Sequence, residues 1–174
     1  FDATNNRLRY AHDYDKTAWT RETVDNRGGY FSSMLLDKTQ SPYSPAVLYI
    51  RGGSAGSIYE TKRNGTAWNS PTKVFSGFAQ WLSATYDSGH NIFASFYRSN
   101  AGFRDLYRLE SSSGSWTSEV LSSTGQVGRY SQINVDKNQK QHVCFFNSSD
   151  QDLMYATNAS GSWQSLVVDG KGIA

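Results

Sequence analysis

The sequence predicts an all-β, β-propeller-like fold with about three and a half four-stranded antiparallel blades. Three observations predict it. Tryptophan recurs at a nearly fixed period, each period holds four strand-sized segments separated by turn residues, and no segment shows the apolar spacing of a substantial helix. Trp19, Trp68, Trp116 and Trp163 are 49, 48 and 47 residues apart. The 11 Tyr, 9 Phe and 5 Trp residues of this 174-residue chain favour many short strands.

The first segment of each repeat, segment a, is an apolar stretch that closes on an aspartate. The three segments read SSMLLD, LSATYD and SQINVD, and they end at Asp37, Asp87 and Asp136. Each aspartate opens a turn-like stretch such as DSGHN, where the carboxylate can cap the turn through the backbone. We interpret these carboxylates as structural, because a glycosidase needs two carboxylates about 5 to 10 Å apart over one sugar.

Segment b is an aromatic run that follows the turn. It reads AVLYIR at 46–51, FASFYR at 93–98 and HVCFFN at 142–147. The last of these contains Cys144, the only cysteine, and its apolar neighbours predict a buried and inert thiol.

Segments c and d form the most similar part of the repeat. DLYRLESSSGSW at 105–116 returns as DLMYATNASGSW at 152–163, with six of twelve positions identical. A tyrosine precedes each Trp by nine residues, or by eight in the last repeat: Tyr10, Tyr59, Tyr107 and Tyr155. We expect strand c to pass through the Tyr and strand d to start at the Trp. The recurring rings would fill the gaps between blades, at roughly 1.5–3 kcal/mol for each large side chain buried.

Residues 1–174 are predicted to form one domain. Full repeats cover 31–75, 81–121 and 130–169, and residues 6–25 supply only a c–d pair. An open ring leaves exposed edges, so we expect closure by other copies of the chain, as a dimer or trimer, or by further sequence. The chain begins at Phe1 rather than Met, which suggests a processed piece of a longer surface or fibre protein.

Several classes of function are disfavoured by composition and motif. The formal net charge is +2 and the basic residues are scattered, which argues against nucleic acid as a partner. No apolar run approaches the roughly 20 residues that span a bilayer, so membrane insertion is not expected. The three histidines show no metal-ligand spacing, and we expect neither a metal nor a cofactor. There is no nucleophilic serine motif, and we predict a protein that is not an enzyme.

The a–b–c–d rhythm, best seen in YDSGHNIFASFYRS followed by DLYRLESSSGSW, resembles the repeats of β-propeller lectins. The resemblance covers nearly the whole chain in spacing, and it includes the fucose-binding type, whose short chains often close a ring by oligomerising. That type places an arginine early in strand b and a glutamate in strand c. Here the early positions of segment b are Ala46, Phe93 and His142, and only Glu60 and Glu110 match the acid. The resemblance therefore implies sugar binding without implying fucose.

A second comparison concerns the Asp-box of sialidase-type propellers, S/T-x-D-x-G-x-x-W. The segment TKRNGTAW keeps Thr61, Gly65 and Trp68 but has Arg63 where the aspartate belongs. The box shapes a hairpin and performs no chemistry, so this match indicates architecture rather than activity.

Six residues are predicted to bind a ligand. An aromatic residue lies just before segment a in each repeat, and Trp81 and Tyr130 are taken from this series, which also includes Phe31. Three more are the polar residues that end segment b: Arg51, Arg98 and Asn147. The sixth is Tyr43, which lies in the insert SPYSP at 41–45. Rings can stack on the apolar face of a sugar while Arg and Asn bind its hydroxyls. The alternatives are that the rings only pack blade on blade, that the arginines are solvated, and that the insert is neutral.

These observations favour a non-catalytic carbohydrate-binding, lectin-like module that recognises a cell-surface glycan or polysaccharide. We expect an extracellular or cell-surface location, with this domain as the terminal adhesive part of a longer protein. A propeller that binds a partner protein is the first alternative. A sialidase-like glycosidase is the second, and it would need an arginine cluster and an acid converging on the ring axis.

Overall fold

The computed structural model of the protein describes residues 1–14, 16–38, 43–100 and 102–170, so the first two residues of the predicted insert at 41–45 lie outside it. Every helix or strand assigned within these ranges is a β-strand, and every strand pairing is antiparallel. None of these residues belongs to a helix with the length and hydrophobicity needed to cross a bilayer.

The chain begins with a two-stranded hairpin, which we call the half-blade. It consists of β1 (Leu8–His12) and β2 (Thr20–Asp25). In the part of the chain that the structure describes, β1 pairs with β2 and with no other strand. These strands correspond to segments c and d of the first, incomplete repeat.

Blade 1 follows, with its strands in the predicted order. They are β3 (Gly28–Asp37), β4 (Ser44–Arg51), β5 (Gly56–Asn64), β6 (Ala67–Trp68) and the first half of β7 (Thr72–Tyr86). The predicted strand d is thus split into two parts. Ala67 and Trp68 pair with the end of β5 as the short strand β6, and the chain pairs with β5 again only from Thr72 onward.

Blade 2 begins within β7. The second half of this strand pairs with β8 (Ile92–Asn100), which pairs with β9 (Phe103–Ser112), which pairs with β10 (Ser115–Ser122). Since β7 is strand d of blade 1 and strand a of blade 2, the two blades share one eight-stranded sheet. The strand passes without a break from the predicted repeat 31–75 into the repeat 81–121.

Blade 3 is a separate four-stranded sheet. Its strands are β11 (Val127–Val135), β12 (Gln141–Asn147), β13 (Asp152–Thr157) and β14 (Gln164–Asp169), paired in that order. All three full blades therefore have the a–b–c–d order that the sequence predicts.

The core lies between blades, as expected if the blades stack. Leu8 and Val24 of the half-blade pack with Val47 and Tyr49 of β4. Larger buried clusters fill the interfaces between blades 1 and 2 and between blades 2 and 3. Strands β4 and β8 are buried on both faces, because each b strand has a neighbouring blade on either side.

Cys144 corrects one prediction, since its thiol is exposed and not buried. Leu48 of β4 and Ser95 of β8 hold the equivalent position and are fully buried between blades. In blade 3 the same face of strand b has no following blade among the described residues. The apolar run HVCFF therefore places alternate residues on an open flank.

Candidate functional site

Two clefts of the same type lie between successive blades, on the side of the a–b turns and c–d hairpins. The a–b turn and c–d hairpin of the later blade border each cleft. The facing wall comes from Tyr14 of the half-blade in the first cleft and from strand c of blade 1 in the second. The first, between the half-blade and blade 1, has a volume of about 450 Å³. The second, between blades 1 and 2, has a volume of about 340 Å³. We call them the first and second inter-blade clefts.

The first inter-blade cleft combines rings with polar groups. Tyr14 of the half-blade and Tyr43 of the a–b turn line it, and both rings are about half exposed, at 51% and 53%. Lys62, Arg63 and Asn64 of strand c and its hairpin also line it, as does Asp37 at the end of β3. The Arg63 guanidinium lies 5.6 Å from the centroid of the Tyr14 ring, which helps to hold that ring in place.

Glu22 fixes the position of Arg63. The two side chains form a bidentate pair, with Nε–Oε2 at 3.0 Å and Nη2–Oε1 at 2.6 Å. Trp68 Nε1 donates to Oε2 at 2.9 Å, and His12 Nε2 lies 3.1 Å from Oε1. The hydrogen bonds from Arg63, then those from His12 and Trp68, outweigh desolvation and lower the pKa of Glu22 to about 2. The pair joins the half-blade to blade 1 and shapes one wall of the cleft.

The second inter-blade cleft is more polar and has a tryptophan at its rim. Glu60 and Lys62 of β5 line one side and form an ion pair at 3.1 Å. His90 and Asn91 of the a–b turn and Trp116 of the c–d hairpin line the other. Lys62 borders both clefts, and its ammonium group pairs with Glu60 of the second.

Of the six predicted site residues, the structure places only Tyr43 in these clefts. Arg51, Arg98 and Asn147 lie at or near the far ends of their b strands. Tyr43 directly precedes Ser44, the first residue of β4, and Arg51 ends this strand, whose length is about 23 Å at roughly 3.3 Å per residue.

Arg51 already has protein partners. Its guanidinium binds the buried carboxylate of Asp25, and Tyr49 donates to the same carboxylate at 2.5 Å. Burial raises the pKa of Asp25, but the hydrogen bonds from Tyr49 and Arg51 outweigh this effect and the net pKa is lowered. The Arg51 side chain is 12% exposed. The group therefore serves as an interblade ion pair, and its role in binding a ligand stays a prediction.

The two equivalents of Arg51 are also engaged. Arg98 donates to the Tyr107 hydroxyl at 3.0 Å and lies 5.8 Å from the centroid of the Phe75 ring. Asn147 is buried and organises the b–c turn, donating to Asp150 at 2.7 Å and accepting from the Ser149 N–H at 3.0 Å. These contacts do not test the predicted binding role of either residue.

Trp81 and Tyr130 lie within strands a rather than just before them. With Phe31 they form a row, with ring centroids 5.8 Å apart from Phe31 to Trp81 and 5.0 Å apart from Trp81 to Tyr130. Each residue sits at a β-bulge with a positive φ of 46°, 49° or 54°. Since a bulky residue with positive φ is strained, the repeated bulge is a defined feature of strand a. Tyr130 is 64% exposed at the end of the row.

Sequence reasoning missed Lys62, Arg63 and Trp116 as cleft residues. The repeat pattern assigns the recurring Trp to packing, and it marks Arg63 only as a departure from the Asp-box. The location of these residues in or beside the c–d hairpin is the feature of the sequence that could have predicted them, because the hairpins of blades 1 and 2 both border a cleft. Within the described residues, no group of three or more His, Cys, Asp or Glu side chains is placed to hold a metal ion.

Comparison with known proteins gives matches in structure and none in sequence. No protein-family model matches the chain, and no curated protein matches it. A triple arginine-to-alanine mutant of AofleA from Arthrobotrys oligospora aligns with a TM-score of 0.71 at 15% identity, over 97% of this chain and 52% of that one. A point mutant of Aleuria aurantia lectin in complex with Fucα1-6GlcNAc aligns at 0.69 and 17% identity, over 95% of this chain and 55% of that one.

A third solved structure, the intramolecular trans-sialidase from Ruminococcus gnavus in complex with oseltamivir carboxylate, aligns with a TM-score of 0.54 at 14% identity. The alignment covers 82% of this chain and 34% of that one. The chain spans about half the length of the first two structures. At these identities the likeness concerns the fold, and it confirms the predicted all-β, β-propeller-like class, with blade-like sheets that are not closed into a ring.

Proposed function

We propose that the protein is a non-catalytic carbohydrate-binding module whose inter-blade clefts bind glycan residues. One observation carries the proposal: a shallow cleft occurs at two successive blade interfaces, each time with an aromatic ring beside charged and amide side chains. Rings offer a face to the apolar side of a pyranose, and the polar groups offer partners to its hydroxyls. The likeness in fold to a lectin bound to Fucα1-6GlcNAc supports it.

The clefts favour binding over hydrolysis. Among the described residues, Asp37 is the carboxylate of the first cleft and Glu60 that of the second. Hydrolysis of a glycoside requires an acid and a second carboxylate on one sugar. Turnover of fluorogenic glycosides, including a sialoside, is therefore expected to be absent, and measurable turnover would contradict the proposal.

Binding is tested on a glycan array that includes fucosylated and unfucosylated glycans, followed by calorimetry. Tyr43→Ala removes an exposed ring from the first cleft, and Lys62→Ala shortens a side chain that borders both clefts and carries a positive charge. We expect each variant to weaken binding at least about tenfold, about 1.4 kcal/mol, with an unchanged unfolding temperature. Lys73→Ala is the matched control, because Lys73 is an exposed lysine of β7 that borders neither cleft. Equal affinity in all three variants would contradict the assignment of the clefts.

We also propose that copies of the chain associate through the open flanks of the half-blade and blade 3, at a cell surface or in a surface fibre. Trp19 is 70% exposed, whereas its equivalents Trp68, Trp116 and Trp163 each pack against the preceding blade. Leu166 of β14 is exposed at the other end, three residues after Trp163, as Glu22 is three residues after Trp19. Trp68 of blade 1 contacts Glu22 of the half-blade before it. By the same arrangement, Trp19 of one copy would contact Leu166 in blade 3 of another copy.

The accessibility of Cys144 tests association, because this thiol lies on the open flank of blade 3. We expect labelling by a maleimide to slow as protein concentration rises, together with a larger mass in light scattering. Trp19→Ala should restore fast labelling. A stable monomer with concentration-independent labelling would contradict the proposal.

A further inference from the structure

Among the described residues, the half-blade consists of strands c and d and lacks the strands a and b that precede them in the three full blades. In blades 1, 2 and 3, strand c pairs on both sides, with strand b and with strand d. Within the part of the chain that the structure describes, strand β1 pairs with β2 alone. Its other edge therefore presents main-chain N–H and C=O groups that a further strand can pair.

The adjoining face of β3 is open for the same reason. Met34 lies three residues after the bulge aromatic Phe31, as Ala84 follows Trp81 and Ile133 follows Tyr130. Ile133 is 2% exposed and Met34 is 56% exposed. The same position is thus covered in blade 3 and uncovered in blade 1.

The structure shows what covers this position in the complete interfaces. The Ala84 N–H donates to Ser33 Oγ of the preceding strand a at 3.0 Å, and the Ile133 N–H donates to Ser83 Oγ at 3.3 Å. Each hydroxyl belongs to the residue two places after a bulge aromatic. A strand a seated before β3 would place the corresponding residue against Met34.

A cleft of about 730 Å³ occupies this place. Its lining includes Tyr10, His12 and Asp13 of the half-blade and Met34 and Leu36 of β3, and Tyr14 and Tyr43 border both this cleft and the first inter-blade cleft. Among the described residues, His12 Nδ1 and Asp13 Oδ1 are buried and have no hydrogen-bond partner. We call this surface, formed by the free edge of β1 and the exposed face of β3, the hairpin seat.

We propose that the hairpin seat binds a β-hairpin with the a–b pattern of this repeat, presented by another polypeptide segment. Its second strand pairs with β1 as strand b, and its first strand packs on Met34 and Leu36 as strand a. The partner chemistry is therefore an extended main chain with a bulge aromatic, a hydroxyl residue two places later, and an apolar second strand. This is strand addition to an exposed sheet edge.

The test uses the full chain and a labelled synthetic peptide, AQWLSATYDSGHNIFASFYR, which is residues 79–98 of this protein. We expect saturable one-to-one binding in fluorescence anisotropy, a higher unfolding temperature of the chain, and slower hydrogen exchange at the β1 amides. A scrambled peptide of the same composition should not bind. Absence of saturable binding, or equal binding of both peptides, would overturn the proposal.

Variants locate the peptide on the chain. Met34→Asp places a charge in the seat and should weaken peptide binding at least about tenfold without altering the stability of the free chain, since Met34 is exposed. Val120→Asp is the control, because Val120 is a similarly exposed residue of β10 outside the seat. Unchanged binding by Met34→Asp would overturn the proposal. If Met34→Asp dissociates a dimer of the chain and the peptide does not dissociate it, the seat would be assigned to a second copy instead.

Discussion

The ion pair between Glu22 and Arg63 gives the sharpest test of how the half-blade is held. It joins β2 to β5 across 41 residues of sequence, and both side chains are largely buried, at 21% and 11% exposed. Glu22→Gln keeps the size of the side chain and one acceptor oxygen but removes the charge. Arg63 would then remain buried without its carboxylate.

The magnitude follows from the pKa of Glu22. Its lowering from 4.5 to about 2 corresponds to about 3 kcal/mol of stability at neutral pH, at roughly 1.4 kcal/mol per pKa unit. Because the pKa in the folded state is depressed, this contribution is complete above pH 4.5. It is lost as the pH falls toward 2.

Urea unfolding followed by tryptophan fluorescence at pH 7, 5, 4 and 3 measures both effects. We expect Glu22→Gln to lower the free energy of unfolding by about 3 kcal/mol at pH 7, and the difference from the native chain to shrink as the pH falls. Glu119→Gln is the control, because Glu119 pairs with Arg108 at the surface and should contribute about 1 kcal/mol or less. A loss at Glu22 no larger than that at Glu119, or a pH-independent difference, would refute the reasoning.

Two further predictions concern stability. A Cβ at Gly56 would lie 2.0 Å from the Arg51 carbonyl oxygen, so Gly56→Ala should cost about 3 kcal/mol or more in thermal unfolding. Gly89→Ala, whose nearest atom is an Asn91 side-chain nitrogen at 3.3 Å, should cost about 1 kcal/mol or less, and equal losses would contradict this. Trp81→Ala should lose about 3 kcal/mol through its three ring contacts. Full glycan binding by the folded Trp81 variant would remove Trp81 from the predicted site.

The strand order could be predicted from the sequence because each blade is encoded locally. Alternating apolar runs, the aspartates that open the a–b turns, and the recurring Trp all lie within one repeat of about 48 residues. Asp87 and Asp136 accept main-chain hydrogen bonds in their turns, from the N–H groups of Asn91 and Lys140, both at 2.8 Å. Their structural interpretation needs no contact from a distant part of the chain.

The site could be predicted only in part, because its geometry depends on contacts between repeats. The repeat pattern marks Arg51 and Arg98 as the polar ends of strand b. Asp25 of the preceding hairpin binds Arg51, and the repeat pattern contains no marker for Asp25. Tyr43 lies in the first cleft, and the insert that distinguishes its turn from the others is visible in the sequence. Lys62 borders both clefts through the stacking of blades, which local spacing does not reveal.

Exposure in this fold is decided by the neighbouring blade more than by the residue type. Leu48, Ser95 and Cys144 share one strand position, yet Leu48 and Ser95 are both fully buried and Cys144 is exposed. A serine is buried where a blade follows, and its hydroxyl is satisfied by Ser131 at 3.0 Å. The apolar pattern of strand b therefore predicts which faces of the strand a neighbouring blade can cover. Whether a face is buried depends on whether a blade packs there. For the same reason the hairpin seat and the Cys144 flank are best tested by adding a partner to the chain and not only by altering its residues.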